Sequence, residues 1–238
     1  MNTFKHTLRI FLSVLMICLS YNSHAQVKLG LKAGANYMNL HMIDKEGYII
    51  ETYYKPGYQA GLYANIPLSK RISFQPSLLY SKKGYKEDRT IALNSYQYIR
   101  VSYVVAPAHI EAPMHFVYKT NKKIHPLIGM GPYISYGIGG KWKGLAPAGY
   151  ESYVKPKGTI QFVEDYANKD TASTVLSNIR KIDAGISGFI GVGMGRHFSV
   201  QLGGQFGLLN VEPFTSGLRP AKSVKTNYGT SLSVAYTF

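Results

Sequence analysis

One cysteine, Cys18, stands in the 238 residues. A single thiol excludes an intrachain disulfide and a thiolate metal site. Because Cys18 also falls inside an N-terminal export signal, the mature chain is expected to have no cysteine nucleophile. Long apolar runs are missing too. No segment approaches the roughly 20 residues that a membrane-spanning helix needs, and the mean hydropathy is -0.09. Charged residues make up only 16%, with 12 acids against 27 Lys and Arg, a formal net charge of +15. Such a basic balance invites a nucleic-acid reading, but the export signal argues against it. Lipid phosphates and headgroups, or simply solvated loops, fit the charge better. The histidines show no metal-ligand spacing, so neither metal nor other cofactor is expected.

The N-terminus has the parts of a cleaved signal peptide. Lys5, His6 and Arg9 form a basic start, Ile10 to Leu19 a short apolar core, and Ser23-His24-Ala25 the small residues a signal peptidase reads. A lipoprotein signal retaining Cys18 is the weaker reading, since Ile17 is too bulky before a lipidated cysteine. The expected organisation is a signal peptide over 1–25 and one domain over 26–238.

What the chain has in plenty is glycine, 24 residues, and tyrosine, 20. The alternation is clearest in the last twelve residues. Tyr228, Thr230, Leu232, Val234, Tyr236 and Phe238 share one face of a strand, while Asn227, Gly229, Ser231, Ser233, Ala235 and Thr237 share the other. The same pattern begins at Val27 and recurs from Gly57, Ile72, the residues before Ile110, Ile124, Ile182 and Phe198. That makes eight strands. Short turns near 67–71, 119–123 and 195–197 alternate with long connections near 40–56, 82–97, 139–181 and 209–226. The longest of these is expected as a loop, with a short helix near Ala172 to Ile179.

The polar faces decide where such strands sit. They carry Gly, Ser, Gln and Asn rather than the Lys, Glu and Thr of a water-facing sheet, and small residues suit the crowded inside of a narrow barrel. Tyr37, Tyr58, Tyr80, Tyr118, Tyr136, Tyr228, Tyr236 and Phe238 lie toward strand ends. Eight residues separate Tyr228 from Tyr236, roughly 19 Å along the normal at a tilt near 45°, close to the apolar height of an outer-membrane barrel. An even strand number lets the first and last strands pair and removes edges that lipid cannot satisfy. The fold class expected is all-β: an eight-stranded antiparallel up-and-down transmembrane barrel, in the cell outer membrane, with both termini periplasmic.

Three segments resemble a known family. Phe74-Gln75-Pro76-Ser77-Leu78-Leu79-Tyr80-Ser81-Lys82-Lys83-Gly84, His109-Ile110-Glu111-Ala112-Pro113-Met114 and Ile128-Gly129-Met130-Gly131-Pro132-Tyr133 are similar to strand motifs of the Bacteroidetes outer-membrane β-barrel family that includes PorT-like proteins. Asp183-Ala184-Gly185 and the glycines from Gly188 to Gly193 match its sixth strand. His109 stands where the family has an aromatic residue and Ala112 where it has a branched aliphatic. The resemblance implies an outer-membrane barrel and, for its PorT-like members, a part in type IX secretion. The last strand also resembles the C-terminal strand of outer-membrane barrels, which implies that Tyr228, Leu232, Val234, Tyr236 and Phe238 are read by the barrel assembly machinery.

Lys28, Lys32, His109, Glu111, His115 and Asp183 are expected to point inward as a structural polar network rather than an acid–base site, because no nucleophile–base–orienter set accompanies them. The chain is therefore expected to be non-catalytic. Its expected partners are outer-membrane lipids and lipopolysaccharide, the assembly machinery, and proteins met by the extracellular loops. Two alternatives stand. His197-Phe198-Ser199 faintly matches the His-x-Ser of lipid A deacylases, and a small porin would conduct ions. Gly188 to Gly195 lacks the strand–turn–helix setting of a phosphate-binding loop.

Overall fold

A computed structural model describes residues 27–92, 98–120, 123–149, 152–168, 170, 172, 174–215 and 222–238. The expected signal peptide lies outside the described residues. Eight strands form the wall: β1 Lys28–Ile43, β2 Thr52–Pro67, β3 Ile72–Lys82, β4 Tyr98–Lys119, β5 Ile124–Gly149, β6 Ile182–Met194, β7 Phe198–Gly207 and β8 Val224–Thr237. Each pairs antiparallel with the next, and β8 pairs with β1 from Gly30↔Thr237 to Ile43↔Val224. The ring closes. This is an eight-stranded up-and-down barrel.

Its girth follows from the register. A path leaving β2 at Ile66 crosses Phe74, Phe116, Met130, Gly188, Gly204, Thr230 and Tyr37, and re-enters β2 at Pro56. The stagger is thus ten residues (66 − 56). With a rise of about 3.3 Å and a strand spacing near 4.8 Å, the strands tilt about 40° and the backbone radius is roughly 8 Å. Side chains from opposite walls meet at that radius, so the interior is filled rather than open.

Facing follows the two-residue period. Met130, Ile190 and Leu62 are 70%, 58% and 58% exposed, whereas Ser81, Ser135 and Ser233 are at most 1% exposed. The apolar rows point away from the barrel axis as one continuous belt, a surface that a protein in water rarely carries. Aromatic clusters bound it. Tyr37 stacks on Tyr54 at 4.9 Å near the long-loop end, and Tyr236 packs between Phe198 and Phe238 at 4.9 and 5.4 Å near the short-turn end.

Glycines open space inside the wall. Gly30, Gly129 and Gly193 lie directly opposite Tyr63, Phe189 and His125. A Cβ added at Gly129 would sit 2.4 Å from the Phe189 ring, and one at Gly30 2.5 Å from the Tyr63 ring. Each inward ring lies over a residue with no side chain. This is why small residues crowd the polar faces.

Three expected loops are corrected. The 40–56 connection is mostly strand, since β1 runs to Ile43, Ile49–Ile50 pairs back on it and β2 starts at Thr52. The 82–94 connection holds a strand, Tyr85–Ala92, paired with both β4 and Thr52–Tyr54 of β2. The 139–181 stretch is mostly strand: β5 continues to Gly149, followed by Ser152–Val154, Lys157–Phe162 and Val175–Ile179. Where a helix was expected near Ala172 to Ile179, Val175–Ile179 runs parallel to Thr159–Phe162. The physical reason is an apolar cap over the long-loop end. Leu40, Met42, Tyr85, Val105, Trp142, Ile160, Phe162, Ile179 and Val211 bury one another there, with Leu176 packed against them. These side chains face each other rather than lipid, so their pattern obeys the cap and not the wall. At the junction, β4 and β5 shift register between Ala108 and His109. Opposite, Gly139 and Gly140 adopt φ of +142° and +154°, and a bulge of this kind bends the hairpin.

Candidate functional site

The middle of the barrel is a polar layer built from inward positions of seven strands. Glu111 of β4 is 3% exposed and forms an ion pair with Lys83, which is 2% exposed and follows β3 directly. The Lys83 ammonium also lies over the Tyr133 ring at 5.3 Å. Tyr133 donates to Asp183 Oδ2 at 3.1 Å, and Asn227 donates to the same oxygen at 3.0 Å. Below this, His115 Nε2 pairs with Ser187 Oγ at 2.8 Å, and Lys32 lies over the Phe189 ring at 5.3 Å. Gln59 donates to Ser233 at 2.9 Å and Asn36 to Ser81 at 3.2 Å. Strand periodicity places these groups inside, and the narrow radius makes them meet.

Of the six residues expected here, Lys32, Glu111, His115 and Asp183 join this layer. His109 is buried higher up, edge-on to Phe162 of the cap at 5.5 Å. Lys28 lies apart, at the short-turn mouth. Sequence reasoning missed Lys83 and Tyr133. The signal was present: Ser77, Leu79 and Ser81 are inward, and the same parity reaches Lys83, just as Gly131, Tyr133 and Ser135 share one face.

The layer is densely filled. Two interior cations, the half-buried Lys32 and the buried Lys83, stand with two buried acids, Glu111 and Asp183, and the remaining space is only about 40 Å³, room for one or two waters. Among the described residues, no three His, Asp or Glu side chains converge on a point where a metal ion could sit. His197 and Ser199 are engaged elsewhere. His197 Nδ1 pairs with the Thr237 carbonyl at 2.8 Å and its ring stacks on Tyr236, while Ser199 accepts from Gln201 at 3.1 Å. Leu232 and Val234 on β8, and Phe238 just past its end, lie outward and more than half exposed, and Tyr228 accepts from Asn39 at 2.9 Å.

A family model described as the outer membrane protein beta-barrel domain matches residues 21–212. The chain belongs to this family. Solved structures similar to this barrel domain include Ail of Yersinia pestis in complex with the heparin analogue sucrose octasulfate, with 10% identity over 89% of this chain and 99% of that one, TM-score 0.38. Neisserial surface protein A is 11% identical over 88% and 97%, TM-score 0.39. OprG of Pseudomonas aeruginosa is 11% identical over 90% and 97%, TM-score 0.45. No curated protein matches the chain.

Proposed function

We propose that this barrel domain is a non-catalytic outer-membrane protein that presents its folded cap to a protein partner outside the cell. Both termini and the short turns then face the periplasm. The finer assignment is a PorT-like, secretion-accessory role, which rests on the motifs around Phe74, His109 and Ile128. The observation that carries the reading is the cap itself. A barrel that only anchored itself or conducted ions would have little use for strands at 85–92, 152–154, 157–162 and 175–179 built over a buried Trp142 and Phe162. In this reading Tyr228, Leu232, Val234, Tyr236 and Phe238 serve the assembly machinery, and the apolar belt contacts lipid and lipopolysaccharide.

Single cysteines introduced by Lys157→Cys in the cap and Lys123→Cys at a turn test the orientation. A membrane-impermeant maleimide added to intact cells is expected to label only the first; labelling of only the second overturns it. Photo-cross-linking from residue 157 in cells is expected to yield one defined protein adduct. A cap without an adduct, joined by lipid A turnover that His197→Ala abolishes, would favour a lipid-modifying enzyme instead. Steady conductance in planar bilayers would favour a porin.

A further inference from the structure

The short-turn mouth differs from the rest of the interior in carrying one sign of charge. A cavity of about 750 Å³ opens there, and its wall includes Lys28, Lys119, Lys123, Arg196, His125 and His197. No acid lines it, and none of the twelve acids falls within the turns 67–71, 119–123 or 195–197. Elsewhere several cations meet acids: Lys83 with Glu111, Lys225 with Glu212 at 2.6 Å, and Arg180 with Glu164 at 2.9 Å. Among the described residues, Lys28, Lys119, Lys123 and Arg196 have no carboxylate partner.

The cavity is also a dead end. None of the residues lining it lines the small central space around Lys32 and Glu111. Its inner wall is polar and ordered: Tyr63 Oη pairs with Thr237 Oγ1 at 2.6 Å, and Gln75 donates to Asn65 at 2.9 Å. Gln201, 5% exposed, uses Nε2 on Ser199, and among the described residues its Oε1 has no protein partner. Thr120 Oγ1 at the rim is likewise unpartnered. Four cations around one mouth, Lys28 and Lys119 on the wall and Lys123 and Arg196 at turns, repel one another, and low-dielectric walls around an aqueous cleft concentrate their field. A bound anion removes that repulsion. Gln201 Oε1 has almost no accessible surface, so a small turn of that side chain is what would offer it to a hydroxyl or amine donor on the same ligand.

We propose that this vestibule binds a phosphate-bearing polyol, with the phosphate held among Lys28, Lys119, Lys123 and Arg196 and a ligand hydroxyl donating to Gln201 Oε1. The glycerophosphate group supplies both features, whether free or as a phospholipid headgroup leaning over the rim. Lysine ammonium groups serve such a phosphate as point charges.

The test uses the full processed chain, once in zwitterionic detergent with glycerol 3-phosphate and once in nanodiscs with and without phosphatidylglycerol. Saturable binding by calorimetry in the first arm assigns the free ligand. Selective retention of phosphatidylglycerol in native mass spectrometry assigns the headgroup. In whichever arm binds, Lys28→Gln with Lys119→Gln is expected to weaken binding at least tenfold, and Gln201→Leu to weaken it less. Lys143→Gln in the cap strands is expected to leave it unchanged. Heat-modifiable gel mobility reports whether each variant folds. Should the wall pair fail to fold, Lys123→Gln with Arg196→Gln, both at turns, carries the same expectation. No saturable binding in either arm, or equal binding by folded variants, overturns the proposal.

Discussion

Toward the long-loop end, Lys83 meets Glu111, Lys225 meets Glu212, and apolar side chains seal the space between them. At the short-turn end, Lys28, Lys119, Lys123 and Arg196 share one solvent-filled cavity with no acid among them. Both ends belong to one closed wall with one register, so the difference does not come from the barrel. It comes from what is placed on it. Long connections bring enough chain to build a core and neutralise its charges, whereas turns of a few residues bring only their own side chains. Where charges are buried, pairing is compulsory, because an isolated ion in a low dielectric is far costlier than one in water. Where water still reaches, repulsion is tolerable and remains available to a ligand.

The largest effect expected from breaking this contrast is at Lys83. Lys83→Met strands the Glu111 carboxylate, at a cost of about 3–5 kcal/mol, measured as urea unfolding in detergent. Adding Glu111→Leu to it is expected to recover most of that loss. Leu40→Ala empties part of the cap at a cost of about 2–5 kcal/mol. Protease nicking of the long loops reports it, while the heat-modifiable mobility of the barrel persists. Gly129→Ala forces a methyl against the Phe189 ring, with an expected cost of about 1–3 kcal/mol in the same unfolding assay.

The turn end is expected to respond in the opposite sense. Lys119→Met relieves repulsion in the vestibule, so stability changes by less than about 1 kcal/mol, toward stabilisation at low salt. A loss as large as that of Lys83→Met would erase the distinction between the two ends.

The smallest effect lies on the Tyr85–Ala92 strand, above the apolar belt. A hydrogen bond from Ser102 and the Arg100 guanidinium, 2.8 Å away, hold the Asp88 carboxyl below its ordinary pKa. A depressed carboxylate contributes stability above its unfolded value near 3.9 and loses it as pH falls through the folded value. The pair is largely solvated, so acidifying below about pH 4 should remove only roughly 0.3 kcal/mol more from the native chain than from Asp88→Asn.

The sequence made the wall legible because the information is local. Each strand residue looks either at lipid or into the crowded interior, and a period of two records that choice without reference to any other strand. Leu232 and Ser233 illustrate it, adjacent in the chain and 56% and 1% exposed. The cap was not legible for the same reason. Leu176 and Ile179 pair parallel to Ile160 and Phe162, and they pack into the cluster of Trp142 and Val211 rather than against lipid, so no fixed period marks them. Lys83 lay between these regimes. Its parity continued that of Ser81, but the pattern around it had already stopped looking like wall, and it read as part of a loop.

Alternation by itself determined the number of wall strands, the facing of each and the closure of the ring, since each depends on a residue's own chemistry and that of its near neighbours. Only the tertiary structure decided which charges meet: that Glu111 finds Lys83 while Lys28 finds other cations. The reason is geometric. A stagger of ten residues around a radius of roughly 8 Å sets which inward side chains share a layer, and no segment of the chain contains that relation alone.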